Sequence, residues 1–142
     1  MSLKANSATK DLSIVCVGGS AGGLDAYTRL LRHLPADMVV AIAIVNHLRT
    51  VATWLHEITG FLRSLTHHWD GKLIAVIVSG FDGDGAAALC GIKEVGGITI
   101  AQKLETAAQP DMPESAIESG CIDFVLSPED ITKEIVRIAH TV

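Results

Sequence analysis

Positive charge is scarce in this sequence: 11 Lys and Arg stand against 16 Asp and Glu, a formal net charge of -5. The basic residues are scattered, so the electrostatic footprint of a nucleic-acid binder is missing. Long apolar runs are also missing. The longest, Met38 to Val45, has 8 residues, against the roughly 20 that a membrane-spanning helix needs, and no membrane insertion is expected. Residues 1–11 are polar and mixed in charge, and read as a flexible leader rather than a signal peptide. There is no CxxC pair. Cys16, Cys90 and Cys121 are odd in number and lie in apolar or small-residue stretches, the pattern of reduced core thiols in a cytoplasmic protein. With no repeat, no low-complexity segment and no Pro-, Gly- or Ser-rich linker, residues 12–142 are expected to form one domain.

What is present is a core. Hydrophobic residues make up 49% of the chain and mean hydropathy is +0.39, far from the composition of a disordered segment. Five short Val- and Ile-rich runs, Leu12 to Val17, Met38 to Val45, Leu73 to Ser79, Ile98 to Gln102 and Asp123 to Leu126, alternate with amphipathic or small-residue segments. Nearly continuous apolar character is what strands covered on both faces require, and the alternation predicts βα units. The expected class is α/β, a doubly wound open sheet, mostly parallel, in a Rossmann-like three-layer αβα arrangement.

Leu24, Tyr27, Leu31 and Leu34 recur at helical spacing before Pro35. Val51 to Asp70 reads as one or two helices interrupted near Gly60, and Ala86 to Val95 as a small-residue helix. Ser127 as cap, Pro128 at the first helical position and Asp130 three residues after the cap mark the start of a last helix that carries Ile131, Ile135 and Ile138.

Three loops carry chemistry. The first strand runs into Gly18-Gly19-Ser20-Ala21-Gly22-Gly23, which fits G-x-S-x-G, a strand-to-helix turn that lifts a serine hydroxyl above the sheet. The same stretch approximates G-x-G-x-x-G with Ser20 at the middle glycine, so nucleophile, anion cradle and plain helix cap all remain open. The second run is followed by His47, just past a strand's carboxyl end, where open α/β sheets bind ligands. His33, His56, His67, His68 and His140 fall in helical segments, where a solvated face or a place near a helix end accounts for them. The third run ends in Gly80-Phe81-Asp82-Gly83-Asp84-Gly85. A calcium loop fails here because Ala86, Ala87 and Lys93 stand where an oxygen ligand, a glycine and a glutamate belong. Capping of the following helix is the plain account of Asp84, and orienting a histidine the catalytic one. Ser20, His47 and Asp84 each fall after successive strands, so one sheet edge gathers a Ser, His, Asp set.

These residues resemble the catalytic domain of the bacterial chemotaxis receptor methylesterases (protein-glutamate methylesterase, CheB type). The matching pieces are VGGSAGGLDA at 17–26, VNHL at 45–48, VIVSGFDGDGAAAL at 76–89, IKEVGGITIAQ at 92–102 and MPESAIESGCIDFVLSPEDI at 112–131. The resemblance implies Ser20 as nucleophile, His47 as general base, Asp84 rather than Asp82 as the acid orienting the histidine, and the backbone N–H groups of Ala21 and Phe81 as the oxyanion hole. It also implies hydrolysis of glutamate γ-methyl esters on a methylated chemoreceptor-like protein, glutamine deamidation by the same chemistry, and no metal or organic cofactor. Family members usually carry a longer segment after the histidine strand, with a substrate-cleft hairpin, where this chain has Val51 to Lys72. Ala21 stands where threonine is common and Asn46 where glutamine is. No receiver domain precedes the catalytic part, so a separate receiver domain or a methyltransferase is the regulatory partner to expect. The alternative is a catalytically weak regulatory or binding module of the same fold, motivated by the short middle; a nucleotide-binding domain ranks behind both.

Overall fold

The structure is a computed structural model and describes residues 12–47 and 57–140. The expected leader, and the expected helical residues from Val51 to His56, lie outside the described residues. The elements run β1 (Ser13–Gly19), α1 (Gly23–Arg32), β2 (Val40–Asn46), α2 (Glu57–His68), β3 (Lys72–Ile77), a 3-10 turn (Ala86–Ala88), α3 (Leu89–Glu94), β4 (Ile98–Gln102), a second 3-10 turn (Leu104–Thr106), α4 (Asp111–Glu118), β5 (Phe124–Leu126) and α5 (Pro128–Ala139). All strand pairs are parallel, in the order β2-β1-β3-β4-β5. The five-stranded, doubly wound α/β sheet is the architecture expected from the alternating runs.

Period-two alternation splits the core into two layers. Val15, Val17, Ile74, Val76, Val78 and Ile100 face α1 and α5, where Leu30, Ile131 and Ile135 meet them. Cys16, Leu73, Ala75, Ile77 and Ala101 face the other way, onto Ile58 and Leu62 of α2, Ile92 of α3 and Met112 of α4. The order reverses between β1 and β3, because β2 lies on one side of β1 and β3 on the other. The loops leaving the carboxyl ends of β1 and β3 therefore diverge to opposite faces and leave a crevice, which is where such sheets bind ligands.

Several expectations are corrected. The buried face of α1 is Gly23, Ala26, Tyr27 and Leu30, while Leu24 is 76% and Leu31 40% exposed; the sheet meets a stripe shifted from the one the leucines outline. Helix α2 passes through Gly60 without a break, since that glycine faces open space and nothing else disturbs the turn. Ala86 to Val95 is a 3-10 turn followed by a shorter α-helix. Helix α4 has no counterpart among the expected elements; Pro113 sits in its first turn, where a missing N–H costs no helical bond. Strand β2 is not covered on both faces, being at the sheet edge with Ala41, Ile44 and Asn46 exposed. The start of α5 is as expected, with the Ser127 hydroxyl accepting from Asp130 N at 3.2 Å.

The cysteines are also corrected. Cys90, exposed on α3, forms a disulfide with Cys121 in the loop before β5, their Cα atoms 5.2 Å apart although 31 positions separate them in sequence. Proximity of this kind is tertiary and leaves no mark on local composition. Only Cys16 is a free, buried thiol, pushed up to about 12 by burial and thus no ready nucleophile. Reduced cysteines therefore no longer argue for a cytoplasmic setting. Among the described residues no helix is long and apolar enough to cross a membrane.

Candidate active site

Ser20 leaves β1 in a turn whose shape depends on glycine. Gly22 has φ 77°, a left-handed backbone conformation disfavoured for residues with a side chain, and it directly precedes α1. The β3 loop closes over the serine from the other side. Ser20 N donates to Ser79 O at 2.9 Å, and Phe81 N donates to Ser20 Oγ at 3.0 Å. Close approach is possible because residue 80 is glycine: a Cβ there would lie 2.5 Å from Ser20 Oγ and 2.7 Å from Met112 Cε.

A buried polar frame holds these two loops together. Ser79 Oγ donates to Ala21 O at 2.7 Å and accepts from Gln109 N at 2.9 Å. Ser79 N in turn donates to Gln102 Oε1 at 2.9 Å, at the carboxyl end of β4. Buried polar atoms are stable only when partnered, and these partners tie the serine turn at Ala21 to the loop that leads to Phe81. Sequence reasoning passed over Ser79 and Gln102. The available signal was a polar residue ending each of two largely apolar runs, Leu73 to Ser79 and Ile98 to Gln102.

His47 is fixed at three points. Its backbone N donates to Gly19 O at 2.7 Å, tying it to the serine turn. The preceding residue is steadied by the Tyr27 hydroxyl, which donates to Asn46 Oδ1 at 2.9 Å; burial, followed by the Cys16 sulfur, pushes that phenol up to about 12, so it remains a donor. The ring lies with Nδ1 2.9 Å from Asp84 Oδ2 and Nε2 2.9 Å from Asp82 Oδ2, while Glu57 Oε2 is 3.9 Å from Nδ1. Ser20 Oγ and the His47 ring share no hydrogen bond, so the structure unites the histidine with both aspartates and places the serine beside Phe81.

Asp84 is capping a helix, but not the one that follows it. Its carboxylate accepts from Ile58 N and Thr59 N, both at 3.0 Å, in the first turn of α2. The same side chain, 0% exposed, holds the histidine. Burial would raise its pKa; the Ile58 and Thr59 N–H groups, the Thr59 hydroxyl and the His47 ring outweigh burial and hold the carboxyl below its ordinary value. Thr59 Oγ1 also accepts from Gly85 N at 2.8 Å. One carboxylate thus caps α2, not the helix that follows it, and hydrogen-bonds the His47 ring. Asp82 is different: its side chain is 43% exposed, and Oδ1 accepts from Asp84 N at 2.9 Å, closing a turn across Gly83. Among the described residues no three His, Cys, Asp or Glu side chains are arranged to hold a metal ion.

Comparison with known proteins adds a family to this geometry. The family described as CheB methylesterase matches residues 15–58 and 54–135, and the chain belongs to that family. The two pieces meet at residues 54–58, in the short middle. A protein-glutamate methylesterase/protein-glutamine glutaminase of Burkholderia thailandensis is 27% identical over 183 positions, covering 89% of this chain and 54% of that protein. Those 183 positions exceed the 142 residues of the chain, so the relative carries residues that this chain lacks. A putative enzyme of the same name from Leptospira interrogans is 44% identical over 70 residues, 49% of this chain and 36% of that one. The chain spans about half the length of the curated relatives with the longer matches. Among solved structures, the CheB methylesterase catalytic domain of Thermotoga maritima superposes with a TM-score of 0.69, covering 88% of this chain and 97% of that one at 21% identity, a likeness of fold.

Proposed function

We propose that the chain is a hydrolase of glutamate γ-methyl esters on a chemoreceptor-like protein, acting through an acyl-enzyme on Ser20. Residues 12–142 form its catalytic domain, and its setting is the cytoplasm, where a receptor's signalling portion and a separate receiver domain or methyltransferase would meet it. The observation that carries this reading is the packing of a part-buried His47–Asp84 pair against the serine turn, with an N–H already aimed at the serine oxygen.

In the proposed reaction Ser20 Oγ attacks the ester carbonyl while His47 Nε2 takes its proton, and Asp84 holds the Nδ1–H tautomer and offsets the positive ring. The oxyanion is bound by the N–H groups of Ala21 and Phe81. The proton passes to methoxide, methanol leaves, and water activated by His47 then releases glutamate and free serine. With a glutamine substrate the same steps release ammonia. No cofactor enters the scheme.

A second reading, a binding module with little catalysis, has one observation in its favour: Asp82 occupies the histidine nitrogen that a serine base must use. Incubation with a fluorophosphonate followed by peptide mass analysis separates the two. Covalent labelling at Ser20, lost in Ser20→Ala, together with methanol release from a glutamyl methyl ester peptide, is expected. Absence of labelling at Ser20 in an otherwise folded protein would overturn the hydrolase reading.

A further inference from the structure

We propose that Asp82 is a positioning residue that captures protonated His47 and holds it off Ser20, so that the base becomes available only when this contact opens. The proposal rests on the Ser20–His47–Asp84 reading and adds what restrains it.

Three carboxyl groups face the His47 ring: Asp84 Oδ2 at 2.9 Å and Glu57 Oε2 at 3.9 Å on the Nδ1 side, and Asp82 Oδ2 at 2.9 Å from Nε2. An ionised carboxylate has only lone pairs to offer. With Nδ1–H given to Asp84, a neutral ring presents a lone pair at Nε2, and a carboxylate 2.9 Å away repels it. The same contact is attractive when Nε2 carries a proton. The arrangement therefore matches the imidazolium, which has no lone pair with which to take the serine proton. Ser20 Oγ, accordingly, accepts from Phe81 N and makes no hydrogen bond to His47.

Local sequence makes the device. In Asp82-Gly83-Asp84 the glycine lets the chain fold back, so that Asp82 Oδ1 takes Asp84 N–H while its other oxygen reaches the far side of the ring. One aspartate is fully buried and permanent; the other, 43% exposed, can be displaced by solvent or by an arriving substrate. Loss of the Nε2 proton, or substrate seated against Asp82, would let the ring turn to Ser20.

The test compares wild type with Asp82→Ser and Asp82→Asn. Serine and asparagine can each still accept Asp84 N–H, so the turn is kept, but neither carries the charge. Fluorophosphonate labelling of Ser20 at about pH 6, where a histidine can be held protonated, should be faster in both variants by up to about fivefold, the size a part-exposed ion pair supports. Ring-nitrogen NMR of His47 at the same pH should report both nitrogens protonated in wild type and the neutral Nδ1–H form enriched in the variants. A purely structural Asp82 would slow labelling and leave the ring signals unmoved. Labelling no faster than wild type, or a neutral ring in wild type at that pH, overturns the proposal. Failure of all three proteins to label at Ser20 is a different result: it removes the nucleophile assignment, and this inference with it.

Discussion

Replacing Asp84 with Asn tests the double use of one carboxylate. The wild-type group accepts two backbone N–H groups of α2 and faces His47 Nδ1 while 0% exposed. Asparagine offers one oxygen and turns an NH2 toward the rest, so at least one buried donor loses its acceptor. Such a loss costs about 1–3 kcal/mol, and removing a negative charge from a helix N-terminus adds about 0.3–1 kcal/mol. The expected total is roughly 1.3–4 kcal/mol, or about 4–13 °C in Tm for a domain of this size. For catalysis, the amide favours the wrong imidazole tautomer, and kcat should fall by about 10³- to 10⁴-fold. Thermal unfolding and glutamyl methyl ester hydrolysis, measured on the same preparation, read both effects. A Tm within about 2 °C of wild type would refute the capping of α2, and a kcat loss below about tenfold would refute the orienting role. Asp82→Asn serves as the contrast, because its effect on rate is expected to be opposite in sign.

Ser20→Ala should abolish labelling and ester hydrolysis while leaving Tm within about 2 °C, since losing the hydroxyl frees only the N–H of an exposed residue. Gly80→Ala should push Ser20 Oγ or Met112 aside, costing about 1–3 kcal/mol of stability and slowing labelling, as the added methyl has no room; an unchanged labelling rate would mean that the β3 loop does not position the serine. Acid unfolding should also report on Asp84. Its folded pKa lies below the ordinary 3.8, so its contribution is complete above that value and is lost as pH falls through the folded pKa. Denaturant titrations should therefore show stability falling steeply below about pH 4 in wild type and less steeply in Asp84→Asn; parallel curves would contradict this assignment.

Much of the fold and part of the site are legible in the sequence because their signals are local. Short Val- and Ile-rich runs between helical segments give a parallel sheet, since only strands covered by helices tolerate such continuous apolar character. The serine turn is written in its glycines, and the histidine and aspartates are marked by where they fall after their strands. Tertiary structure decides what lies beside what. Asp84 caps α2, an element 25 or 26 positions upstream, rather than the turn that follows it. Asp82 meets His47 Nε2 because a turn across one glycine brings it there, although its neighbour two residues on was the better candidate. Leu24 and Leu31 point to solvent because the sheet meets the other side of α1, and Cys90 finds Cys121 across 31 positions. Periodicity and turn chemistry record each segment's own conformational preferences, whereas these pairings depend on how packed layers bring distant loops together, and no window of sequence contains both partners.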